Sequence, residues 1–196
     1  MTAPLAWSAE GQAALRARRR TQAFVTQLAT TRALIGFTEA DEALVGATRD
    51  VVLGAAGGIV DAFYAHLLSH PETASAFTQA DGRIDRELVA ARHESLRAWL
   101  TAAVEAPLDE RLAAYLAGVA RVHTGRGAGK GVRVKARYMV AAMSFLQTSL
   151  IGVLGVSGLD AEVLLETVSA WSKLLMIHLD LFLAVYGGAG GTAHWY

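Results

Sequence analysis

The chain has 196 residues, 53% of them hydrophobic, and its 18 Lys+Arg balance 18 Asp+Glu, so the formal net charge is zero. That balance argues against nucleic acid, because neutralising several phosphates needs a basic surface. Cysteine is absent, which excludes disulfides, thiolate zinc sites and thiol catalysis, while the apolar surplus suggests a large core, a bound apolar cofactor or a buried subunit interface.

Read in chain order, the sequence is one helix after another. No early cation and no apolar run precede Glu10, so no secretory signal is expected and the chain reads as cytoplasmic. A first helix is expected from about Ala9 to about Arg32, with the basic run Arg16–Arg20 on a solvated face. Thr38 in "TEAD" is a capping-box-like start with carboxylates in the first turn, and helix follows through Val51. The next helix, about Val52 to Ser69, stops before Pro71, which itself opens the short helix of "PETASAF". After the "ADG" turn at 80–82, helix is expected from about Asp85 to Val104. Pro107 opens the segment that carries His123, and glycines 125, 127, 129 and 131 stop it.

A long apolar helix is expected from about Val134 to Leu154. Met139 to Leu159 carries no charge and is long enough to span a bilayer. It also contains Ser144, Gln147, Thr148, Ser149 and glycines, so a buried helix is expected and no membrane partner. The last helix follows a cap at Ser157–Asp160 and ends at Gly187. On it Leu164, Val168, Trp171, Leu175, His178, Phe182 and Val185 recur at spacings of four and three, a stripe for a core or a partner helix. Leu174 and Leu181 fall outside the stripe. The last two helices therefore carry surplus apolar surface, which suggests a homodimer through a four-helix contact.

"TGRGAGKG" is not a phosphate loop: Thr124 stands where the first glycine belongs, Gly131 follows the lysine, and a helix precedes it. His123 shares a helix face with Leu116, Val119 and Ala120. It is either a half-buried histidine bonded to a backbone carbonyl, or an imidazole presented from an apolar wall to a metal or haem iron. His93 and His123 could face one cofactor. His178 lies on the core stripe, His66 and His70 flank a helix end and read as exposed, and His194 is in the tail. No His-Glu-x-x-His run or repeated carboxylate-histidine motif points to a zinc or di-iron enzyme.

Four segments in order resemble the sensor-globin group, the globin domains of globin-coupled sensors and single-domain protoglobins. They are "FTEADEALVGATRDVV", "IVDAFYAHLLSHPETASAF", "GVARVHTGRG" and "LLMIHLDLFLAVY". The resemblance implies an all-α, globin-like fold with an extra N-terminal helix: 1–36 as that extension, 37–187 as the globin domain, 188–196 as a flexible tail. It implies haem b, with His123 on the iron, Tyr64 as the distal hydrogen-bond donor, Phe63 walling the pocket and Leu96 as an apolar distal position. Arg92 or His93 would reach the pocket or a propionate, with His93 a candidate sixth iron ligand, and Tyr138 would lie near the proximal side. The glycine- and cation-rich run after His123 departs from the proline-containing turn usual in this group. The function implied is reversible binding of O2, CO or NO for gas binding or sensing. The alternative is a haem enzyme on the same site, running NO dioxygenation, peroxidation or carbene transfer.

Overall fold

A computed structural model describes residues 8–125 and 133–186. The described residues form α1 (Ala9–Ile35), α2 (Glu39–Ala47), α3 (Arg49–Ser69), α4 (Pro71–Ala74), α5 (Arg86–Glu105), α6 (Glu110–His123), α7 (Ala136–Gly155) and α8 (Ala161–Ala184), with a 3-10 turn at Ser75–Phe77. The expected stops at Gly127, Gly129 and Gly131, the 188–196 tail and His194 lie outside the described residues.

Helix ends follow local chemistry. Thr38 and Asp41 form a reciprocal capping box at the start of α2, as the "TEAD" run predicts. Asp85, Asp109 and Asp160 each accept backbone N–H groups at the starts of α5, α6 and α8. Two boundaries differ from the sequence reading. The first helix runs three residues further, to Ile35, because Gly36 takes the left-handed conformation (φ 68°) that closes a helix without a Cβ clash. The expected helix from Thr38 through Val51 is broken at Thr48. That hydroxyl turns back to the Leu44 and Val45 carbonyls and accepts a 2.9 Å bond from Trp171 Nε1 in the core.

The helix α8 is the centre of the packing, against α1, α2, α6 and α7. Trp171, Leu175, His178 and Phe182 of the expected stripe are buried, and so are Leu174, Ile177 and Leu181 beside it. On the other side α3 packs on α5 and α7. Three helices, α3, α7 and α8, are long and apolar enough to cross a bilayer by length and composition alone. Here each turns a buried face to the common core: Val52, Val60 and Phe63 from α3, Met143, Leu146 and Leu150 from α7, and the stripe of α8. The helix α5 packs on α3, and α6 packs on α1 and α8, whereas α5 and α6 do not pack closely on each other. The candidate residues Arg92 and His123 come from these two helices.

Candidate functional site

The placement of His123 starts from α6. Asp109 fixes its first turn, and Leu112, Ala113, Leu116, Ala117 and Ala120 make the buried stripe that seats the helix. His123 follows at the edge of that stripe and is half-buried. Its Nδ1 lies 2.9 Å from the Val119 carbonyl oxygen. A carbonyl only accepts, so Nδ1 carries the proton and the Nε2 lone pair is left to ligate. This orienting bond is the one that metal-bound imidazoles use. Burial pulls the His123 pKa below its ordinary value; the Val119 bond opposes this and the positive charge of Arg92 adds to it. The ring is therefore neutral, the form that binds a metal. It stands beside Phe182, ring centroids 6.5 Å apart.

Tyr64 comes from the buried face of α3 and is 7% exposed. Its ring meets Phe63 edge-on at 5.3 Å and Phe77 at 5.8 Å, and lies stacked on His93 at 4.3 Å. The hydroxyl donates a 2.9 Å bond to the Arg92 carbonyl oxygen. Burial pushes the phenol up to about 12, with the Arg92 charge pulling the other way. It is thus a neutral donor at any physiological pH. The charge of Arg92 acts on both Tyr64 and His123, which ties this α5 residue to both sides of the site. Phe63 in turn meets Phe145 of α7 at 5.7 Å, making an aromatic wall.

Leu96, one turn after Arg92, is partly buried against the core. Trp99, three residues further, is fully packed, with its ring 6.3 Å from Phe182 and 5.6 Å from His178. Trp99 Nε1 and both ring nitrogens of His178 are buried with no hydrogen-bond partner. Sequence reasoning did not single out Trp99 or Phe145. Both were within reach of it, since residues 92, 96 and 99 share a face of α5 by helical spacing.

The other two candidates, His93 and Tyr138, have contacts of their own. His93 stacks on Tyr64, and its Nδ1 stands 3.4 Å from Asp61 Oδ1 at the α3–α5 contact. One step of about 100° around the helix separates it from Arg92, whose charge acts on both Tyr64 and His123. Tyr138 is occupied by cations, with Lys135 and Arg137 over its ring and Arg137 donating to its hydroxyl at 3.2 Å. An open groove of about 580 Å³, lined by Leu68, Ile84, Val89, His93 and Arg97 among others, lies on the outer side of α5 and includes neither His123 nor Tyr64.

The donor set fits haem. Among the described residues no group of three or more His, Cys, Asp or Glu could hold a metal. Porphyrin iron arrives with four ligands of its own and takes one neutral imidazole, which His123 Nε2 can supply. One oriented imidazole on α6 and a neutral donor contributed from α3 are side chains that such a group can use.

A search of curated proteins finds no match. Among solved structures, the globin domain of the Geobacter sulfurreducens globin-coupled sensor superposes with a TM-score of 0.65 at 22% identity, covering 80% of this chain and 95% of that one. The globin domain of E. coli DosC in a ferric form gives 0.66 at 14% identity, covering 81% and 99%. These likenesses make the fold globin-like, with α1 as the extra N-terminal helix. The protoglobin family model matches residues 25–190, nearly the whole described fold. The chain belongs to the protoglobin family, and so to the haem-binding globins.

Proposed function

We propose that the chain is a haem b protein that reversibly binds a diatomic gas, O2, CO or NO, with His123 as the iron ligand and Tyr64 as the donor to the bound gas. The observation that carries this reading is the protoglobin match over residues 25–190, within which His123 and Tyr64 fall; the Nδ1–H bond from His123 to Val119 is common to a carbonyl-bonded and a ligating histidine, and it leaves Nε2 free to ligate. Haem iron supplies the open coordination position at which a gas binds. The chain supplies the rest. Val119 fixes the tautomer and ring angle of His123. Phe63, Phe145, Leu96 and Trp99 give an apolar wall that keeps water out. Tyr64 holds one proton on its hydroxyl, now donated to Arg92 and available to an acceptor in the cleft. Arg92 is the residue of α5 whose charge would meet a propionate.

Surplus apolar surface supports a homodimer through the last two helices: Val140 and Ile151 on α7 and Leu165 on α8 remain exposed. A second chain would cover them and carry a signal outward, since Phe145 of the pocket wall is on α7. The test is the absorption spectrum of the purified protein and its His123→Ala variant, ferric and ferrous. The reading expects a Soret band, a five-coordinate ferrous form without gas, and loss of that form in the variant. No Soret band after haem addition, or an unchanged spectrum in the variant, overturns it. Turnover with NO or peroxide would favour the enzyme reading of the same site.

A further inference from the structure

We propose that His66 and His70, at the end of α3, form a surface site for one divalent transition-metal ion such as Ni2+, Cu2+ or Zn2+. The site uses neither His123 nor Tyr64, and both of its rings are exposed.

The first support is spacing. His66 lies in the last turn of α3 and His70 is the extended residue that caps it, and the chain brings the two rings together there. Their ring centroids stand 4.5 Å apart. Two imidazole nitrogens about 2.0–2.1 Å from one ion, in adjacent positions, put ring centres roughly 4.5–5 Å apart. The observed separation lies at that value.

The second support is the hydrogen bonding around His70, which fixes its tautomer. Ser69 Oγ donates its single proton to the His66 carbonyl at 2.8 Å. His70 Nδ1 lies 2.8 Å from the same carbonyl and 3.0 Å from Ser69 Oγ. Both of those atoms are left only to accept, so Nδ1 carries the proton. Nε2 of His70 is therefore a bare lone pair, and Nδ1–H is held by a backbone carbonyl as in most metal-ligating histidines. Ordering of this kind is unusual for an exposed side chain, and both rings are exposed.

The third support is what holds His66. Its ring stacks on Phe145, centroids 4.9 Å apart and planes 26° apart. The two ligands are thus partly immobilised before the ion arrives, which lowers the ordering cost of binding. The ion would also sit at the C-terminal end of α3, where the helix dipole favours positive charge. Imidazole nitrogen suits Cu2+, Ni2+ and Zn2+, with affinity expected to peak at Cu2+. Water fills the remaining positions, so this is an accessible two-histidine site, unlike a closed structural one. Bound metal would clasp the end of α3 at the residue before Pro71.

The experiment is a titration of the untagged, haem-loaded full chain with NiCl2 and CuCl2 by calorimetry. Cu2+ electron paramagnetic resonance counts the nitrogen ligands. The expected result is one tight ion per chain with two imidazole nitrogens, and at least a tenfold loss of affinity in His66→Gln and in His70→Gln. Both substitutions are at exposed positions, and the unchanged circular dichroism and haem spectrum of each variant verify the fold. Controls are His93→Gln and His194→Gln. Full-strength binding in the His66→Gln/His70→Gln double variant overturns the proposal. So does a tight site that disappears with His93 or His194 instead.

Discussion

His178 gives the sharpest measurable consequence of this core. The imidazole is 0% exposed, neither nitrogen has a partner, and burial drives its pKa from 6.5 to about 4. The folded state therefore keeps it neutral at a pH where the unfolded chain protonates it. Between pH 6.5 and 4 the unfolded state binds more protons, so stability rises with pH. It is whole above about pH 6.5 and falls away as pH drops toward 4. Linkage puts the loss at about 2 kcal/mol by pH 5 and about 3 kcal/mol below pH 4. Leucine has nearly the volume of histidine and cannot titrate. Urea unfolding of the wild type and His178→Leu at pH 7 and pH 5 isolates the effect, because every other titrating group is common to both. The wild type should lose about 2 kcal/mol more than the variant on going to pH 5. At pH 7 the variant should be at least as stable, since it removes two unpaired buried polar atoms. Parallel losses in the two proteins would refute the reasoning and mean that His178 is hydrated or paired.

Thr48→Val removes the acceptor for Trp171 Nε1 and strands a buried N–H; urea unfolding should show a loss of about 1–3 kcal/mol. Asp41 has burial raising its pKa, but bonds from Lys173 and Thr38 outweigh it and hold the carboxyl below its ordinary value. Its contribution is present above about pH 4 and lost as pH falls through the lowered value; Asp41→Asn should flatten that acid limb of the stability curve and leave the His178 window unchanged. Tyr64→Phe should speed O2 release about tenfold and CO release less, in a stopped-flow measurement on the haem-loaded protein, because a bond to a partly negative ligand is worth about 1.5–3 kcal/mol. Equal release of O2 from both proteins would remove Tyr64 from the gas site.

Much of this arrangement is legible in the sequence because it depends on local rules. The caps at Thr38 and Asp160, the stop before Pro71 and the stripe on α8 need only neighbours within a few residues, and all stand in the structure. Gly36 was missed because a left-handed cap leaves no mark on the apolar period, and the helix simply appears to fade. Thr48 was missed for a different reason. Its break in the helix depends on Trp171, 123 positions away, and no local pattern reports such a partner. The same holds at the site. The His123 to Val119 bond is a four-residue relation, and the face position of His123 already implies it. The places of Arg92 and His93 depend on how α5 rolls against α3, a tertiary matter in which His93 meets Asp61 and the Tyr64 ring.

That roll bears on how a gas could be felt outside the cleft. Rings in contact run from Tyr64 to Phe63, to Phe145 and to His66. A chain of contacts alone does not couple two sites; coupling needs an element with two states that both sites bias. The Tyr64 hydroxyl is such an element under the proposed function. It has one proton and two competing acceptors, the Arg92 carbonyl and a gas in the cleft. A neutral bond to a carbonyl is worth about 0.5–1.5 kcal/mol, and one to a charged or partly charged acceptor about 1.5–3 kcal/mol. The difference, on the order of 1–2 kcal/mol, is enough to swing the O–H bond toward the gas, the proton staying on the hydroxyl, and small enough to let it return. Each exchange frees or re-engages the Arg92 carbonyl on α5 and shifts the edge that Tyr64 presents to Phe63. The carbonyl ends on α5, whereas Phe63 leads to α7, whose outer face keeps Val140 and Ile151 uncovered. The Phe63–Phe145 contact is one route by which a signal could reach α7. Phe145→Leu should blunt any gas-dependent change at that face while leaving the Tyr64 bond to the gas in place.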